Sequence, residues 1–250
     1  MEVNQVSLYL KELRKKLNGL ALSVPQLHLL GDEEQKKYDD AIKQYSGKAS
    51  ETLRLGKKGS HLFKVILLNQ IGIVTASAFQ MYEGIENNPA FLSERYSDIT
   101  KVVLRSAGDS YTPNDSLEKS LVEATKLKNF NHAIVLGGLE IKADSNSEYG
   151  LGLVPGEKFF HYEAPEFDYC YNGINFLQVD ERDIPILLSD DQINQLSEEE
   201  RNNLKTSYTR DNGLSRLYVN RSRDLGSRYG LLAGSVDDGR VVVVGSAKGT

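Results

Sequence analysis

Glu140 and Lys142 stand two residues apart in Leu139-Glu140-Ile141-Lys142, a spacing that puts a carboxylate and an amine on one face of an extended strand. Two carboxylates at such a place hold Mg²⁺, and the amine steadies an attacking water or the developing charge. Asp109 is the upstream carboxylate that fits the second position, although a segment with helical spacing lies between it and Glu140. A second grouping is basic and aromatic: Arg216, Arg221, Arg223 and Arg228 are interleaved with Tyr218 and Tyr229. A guanidinium beside a ring pairs with carboxylate or phosphate and stacks on flat groups. A third is aromatic and acidic, with Phe159, Phe160, Tyr162, Phe167, Tyr169 and Tyr171 alternating with Glu163, Glu166 and Asp168. One face of such a sheet is core, and an outward tyrosine sits in a negative field suited to a basic partner. Tyr162 and Tyr169 are the expected contacts there; read instead as a ligand-binding module, the sheet would line a pocket with Tyr162, Tyr169 and His161.

Other chemistries lack their residues. Gly56-Lys57-Lys58-Gly59 has two residues between its glycines where a phosphate loop needs four, and no Lys-Ser/Thr follows. Gly150-Leu151-Gly152 lacks the third glycine of a dinucleotide turn. His161-x-Glu163 is not a metal-ligand spacing, and Cys170, the only cysteine, reads as a neutral buried thiol. No metal and no cofactor are expected.

The elements that must position these groups begin with Val3, Val6, Leu10, Leu13, Leu17 and Leu20, an apolar helical seam. Asp32 opens a second helix to about Tyr45. The uncharged run from Val65 to Tyr82 reads as buried strand or helix, diluted too far by Asn69, Gln70 and Gln80 for a membrane span. Phe91, Arg95, Tyr96, Ile99, Val102 and Val103 keep helical spacing. Asp115 with Glu118 forms a capping box for a helix to about Lys128, and Ala133–Leu136 is a strand ended by Gly137-Gly138. Asn172-Gly173 predicts a two-residue hairpin that sets Tyr171 opposite Ile174 and Tyr169 opposite Phe176. Ser197 with Glu200 makes another capping box. Strands at 217–219, 229–233 and 241–244 end the chain, and no repeat with a period of 20–50 residues is visible.

The 250 residues are 40% hydrophobic and 26% charged, a globular balance that excludes disordered, collagen-like and disulfide-scaffold chains. The net charge of −5 is unevenly spread. Residues 143–200 carry fourteen Asp and Glu against Lys158 and Arg182, whereas residues 201–250 carry nine Lys and Arg against four Asp. Such segregation speaks about fields and partners, not about fold. The N-terminus has neither the basic start nor the apolar core of a secretion signal, and one cysteine suits a reducing compartment, so the cytoplasm is expected.

These observations predict an α+β protein: N-terminal helices and an α/β-like segment over residues 1–142, then a mainly antiparallel β half over 143–250. A helix is inserted near 190–208, and the two segments share one core. The expected function is non-catalytic, self-assembly or partner binding through charge-complementary surfaces. Those surfaces are the 3–20 seam, the acidic tyrosine-rich sheet and the Arg216–Arg228 stripe, with a homo-oligomer or protein partner the expected state. Nucleic acid is less favoured, because the isoelectric point lies near 5.5. The alternative is a metal-dependent nuclease of the PD-(D/E)xK type built on Asp109, Glu140 and Lys142.

Overall fold

The computed structural model of the chain describes residues 26–88, 90–105, 111–127, 131–235 and 237–245. The 3–20 seam and Asp109 lie outside the described residues. The fold is α+β, with seven α-helices and ten strands among the described residues and a mostly antiparallel sheet. No helix among them is long and apolar enough to cross a membrane.

Strand β1 (Gln26–Leu29) leads into helices α1 (Asp32–Ala41), α2 (Gly47–Leu55), α3 (Leu62–Gln70) and α4 (Ala78–Asn87). Then come β2 (Ser97–Leu104), α5 (Asp115–Thr125), β3 (Ile134–Ala143), β4 (Leu151–Glu163), β5 (Ile174–Val179) and β6 (Pro185–Leu187). Short helices α6 (Asp190–Asn194) and α7 (Glu198–Asn202) precede β7 (Lys205–Thr209), β8 (Leu214–Val219), β9 (Leu225–Ser227) and β10 (Val242–Gly245). Eight strands form one sheet in the order β4-β3-β2-β8-β9-β7-β5-β6, and β1 pairs separately with β10. Among the described strand pairs, β7 with β9 is the one that runs parallel. The sheet draws strands from both sides of residue 142, and the β3–β4 hairpin straddles it.

A core lies on each face of this sheet. Val102, Leu104, Leu136 and Leu214 join α3 on one side, while Ile99, Val103, Val135, Leu217 and Val219 join α4 on the other. This double burial corrects the helical reading of 91–103. A strand covered on both faces shows apolar residues at nearly every position, and its spacing then mimics a helix. The uncharged run becomes buried helix: every residue from Leu62 to Leu68 is buried. The chain turns at Gly72 (φ +83°), and Ser77 with Gln80 forms the capping box that opens α4.

Four further expectations are corrected. The segment before Asn172 is not a strand, so the two-residue hairpin does not form. Residues 165–167 make a 3₁₀ turn, and β5 pairs with β6 and β7 instead. The backbone there is satisfied without a ladder: the Cys170 N–H donates to Thr209 Oγ1 at 2.8 Å, and the Asp168 carboxylate accepts from the Ala133 N–H at 2.7 Å. Gly138 (φ +66°) makes a bulge in β3 and does not end it, because strand pairing resumes at Leu139. Asn114 precedes α5 in place of an Asp115 box, its amide donating to the Leu214 and Gly230 carbonyls. The strand expected at 229–233 lies at Leu225–Ser227. By contrast, Ser197 and Glu200 form the expected capping box.

The chain also contains a repeat that the sequence reading missed. Hairpins β5–β6 and β8–β9 match at one constant offset: 174 with 214, 179 with 219, 185 with 225. Each follows an Asn-Gly pair whose glycine is left-handed, Gly173 at φ +71° and Gly213 at +70°. In the first turn Asp180 Oδ1 accepts from the N–H groups of Arg182 and Ile184, both at 2.9 Å. In the second, Asn220 Oδ1 accepts from Ser222 at 2.8 Å and Asp224 at 2.9 Å. Asp183 (φ +70°) and Arg223 (φ +68°) then take matching left-handed positions. The strand pairings make β6 and β9 run the same way, so the second hairpin repeats the first by a shift along the sheet, with β7 and β5 between their outer strands.

Candidate binding cleft

Alternation along β8 places Arg216 and Tyr218 on one face, away from Leu217 and Val219. Cross-strand register then sets Tyr218 opposite Gly226 of β9, and Gly226 beside Tyr208 of β7. Gly226 is required here by close approach, since a Cβ on it would lie 2.2 Å from the Tyr218 ring. Two residues on, Arg228 shares that face, and Tyr96 and Tyr229 close in from the segments before β2 and after β9. The result is a cavity of about 620 Å³ lined by Tyr96, Tyr208, Arg216, Tyr218, Arg221, Arg228 and Tyr229, together with Asn220, Asp224, Leu231 and Asp238.

Arg216 forms the floor. It is 7% exposed, and its Nη1 lies 3.0 Å from the carboxylate of Asp98, which is 1% exposed. The same nitrogen donates to the Gly234 carbonyl at 2.6 Å. Its guanidinium carbon lies 5.7, 5.4 and 5.9 Å from the ring centres of Tyr96, Tyr218 and Tyr229, so the chain fills its own aromatic cage. Burial pushes the Asp98 carboxyl above its ordinary range, against the pull of Arg216 and the Ser60 hydroxyl. Burial likewise opposes the Arg216 charge, but Asp98 and the neighbouring tyrosines outweigh it and hold the cation.

Above the floor, Tyr218 and Tyr229 stack with centres 5.5 Å apart and planes 15° from parallel. Burial pushes the Tyr218 hydroxyl up to about 12, with Arg228 acting in the other direction. Arg228 is exposed, its guanidinium carbon 4.7 Å from the Tyr208 ring centre and 5.3 Å from that of Tyr229. No carboxylate among the described residues pairs with it. Arg221 stands 3.9 Å from Asp238 at the rim. Thus Arg216 and Arg221 pair with carboxylates outside the acidic 143–200 block.

The other sequence-derived candidates lie elsewhere. Arg223 belongs to the turn after β8, and its carbonyl accepts the Tyr82 hydroxyl at 2.9 Å. Tyr162 stacks on Phe160 (5.8 Å, 7°) under Lys101 and Arg182, and its hydroxyl donates to the Arg182 carbonyl. Tyr169 is exposed on the turn before β5. His161 and Tyr162 are successive residues of β4 and point to opposite faces, so they cannot line one pocket. Glu140 is half-buried and Lys142 exposed, on the face of β3 opposite buried Leu139 and Ile141. Among the described residues no three His, Cys, Asp or Glu side chains gather to hold a metal. Cys170 is half-buried, not buried as expected.

Three buried polar groups escaped the sequence reading. His61 caps α3 by accepting the Lys64 N–H on Nδ1 at 3.1 Å, and burial drives its pKa to about 3. Lys64 donates to Gln35 Oε1, Lys57 O and Gly59 O, and burial lowers it to about 8. Arg105 ties Phe167 O, Ser215 Oγ and Ser227 Oγ together, with burial lowering it to about 10. Arg105 thereby holds the 165–167 turn to the sheet, and Lys64 holds the 57–59 loop to its own helix, while His61 Nε2 is buried without a hydrogen-bond partner among the described residues. Comparison of the chain with protein-family models, with curated proteins and with solved structures finds no match.

Proposed function

We propose that this is a non-catalytic partner-binding protein whose binding surface is the tyrosine–arginine cleft, and whose partner is an acidic protein surface. One observation carries the reading: Arg228 stands exposed between tyrosine rings, at the mouth of a cavity of about 620 Å³, with no carboxylate partner among the described residues. Tyr and Arg are the side chains most enriched where binding energy concentrates, since each offers a large flat contact with a polar handle. Asp224 and Asp238 in the lining work against a polyanionic backbone, which favours protein over nucleic acid. The single cysteine is the reason for placing this activity in the reducing cytoplasm.

A random copolymer of Glu and Tyr is the probe, with a single-stranded RNA oligonucleotide as comparison, both followed by fluorescence anisotropy at low and high salt. Salt-sensitive binding of the copolymer, weakened about tenfold or more in Arg228→Ala, supports the reading. Binding of neither probe overturns it, and tighter binding of the RNA replaces the protein partner with a nucleic acid.

A further inference from the structure

Tyr171 is 85% exposed, more than any other large apolar side chain among the described residues, and Tyr169 on the same turn is 54% exposed. Glu163, Glu166 and Asp168 precede them and act together on His132, whose Nδ1 lies 2.7 Å from Asp168, so the turn grows out of an acidic patch. The turn is held firmly. Gly173 takes φ +71° and donates its N–H to Cys170 O at 3.4 Å, while Thr209 Oγ1 bonds both the Cys170 N–H and Asp168 O. A fixed aromatic projection loses little freedom on binding.

The turn and the cleft share a border. A Cβ on Gly173 would lie 3.3 Å from the Tyr208 ring, and Tyr208 is the cleft residue over which Arg228 is placed. Resting on the partner-binding reading above, we propose that the cleft receives Tyr171 of a second copy of this chain, in a reciprocal two-fold dimer. The charges are complementary. The incoming turn follows an acidic segment and is aromatic; the receiving surface offers exposed Arg228, set against Tyr208 and Tyr229, while Arg221 stays beside Asp238. A ring buries about 150–250 Å² when it enters such a site. Because the turn that carries Tyr171 adjoins Tyr208, itself part of the cleft, a two-fold axis close to Tyr208 lets each copy present its projection to the other's cavity, the self-complementary arrangement that closes at two subunits.

Native mass spectrometry and light scattering of the full chain test this, with Tyr171→Ala and Arg228→Ala as variants. Tyr171 is nearly all in solvent, so its loss leaves the fold intact. The wild type is expected to be a dimer that weakens with salt, and each variant to dissociate about tenfold or more readily. An equimolar mixture of the two variants keeps one intact projection in one intact cleft, and forms the mixed dimer in preference to either parent. A wild-type monomer at all concentrations overturns the dimer while copolymer binding would leave the cleft reading standing. A dimer indifferent to both substitutions, or assembly beyond two copies through these residues, also overturns it.

Discussion

Arg216 Nη1 lies 3.0 Å from Asp98 Oδ1, joining two buried side chains 118 residues apart beneath the rings of Tyr96, Tyr218 and Tyr229. The pair sets the depth of the cleft. It also locks the bulged junction of β2 and β8, whose register shifts between Asp98 and Val102.

Breaking this pair from one side leaves a buried charge without its counter-ion. Asp98→Val alone is therefore expected to cost about 3–5 kcal/mol, measured by urea denaturation. Asp98→Val combined with Arg216→Met removes both charges, and its cost falls well below the sum of the single changes. Additive costs would mean that the two residues do not act as a pair.

His61 makes stability depend on acid. Its folded pKa of about 3 lies below the ordinary value of 6.5, so between these values the unfolded chain binds the proton and the folded chain does not. Stability contributed by the neutral ring is complete above about pH 6.5 and declines as pH falls toward 3. His61→Asn retains a helix-capping acceptor but cannot titrate. Denaturation midpoints measured from pH 7 to pH 4 should fall less steeply for this variant than for the wild type.

Gly226→Ala tests the geometry of the cleft. The added carbon meets the far end of the Tyr218 ring at 2.2 Å, an atom that can swing aside, not backbone. A stability loss of about 1–2 kcal/mol is expected, with a larger proportional loss of Glu–Tyr copolymer binding, because Tyr218 must leave its stack on Tyr229. Unchanged binding in a folded Gly226→Ala protein would show that this stack is not part of the receiving surface.

Parts of this architecture were legible in local sequence. The Ser197–Glu200 box, the helix with Tyr38 and Ile42 facing inward, and the strand at 217–219 depend on neighbours a few residues away. The repeat left a faint trace as well: Asn-Gly-Ile-Asn-Phe-Leu-Gln-Val-Asp and Asn-Gly-Leu-Ser-Arg-Leu-Tyr-Val-Asn share their glycine turns, a Leu, a Val and a terminal carboxyl or amide. Its counterpart positions elsewhere differ in charge, as Asp183 and Arg223 do, because the two turns need the same backbone shape but meet different neighbours.

The clustering of arginine and tyrosine near the C-terminus is written into the chain, as is its class, because composition and short-range spacing follow from covalent order. Which arginine is buried, which is exposed and which lies in a turn depends on strand register and on Asp98, brought in from far away. The pairing of Tyr208, Gly226 and Tyr218 across three strands likewise exists only once the sheet closes. Burial and cross-strand contact are long-range properties, and tertiary packing alone decided them.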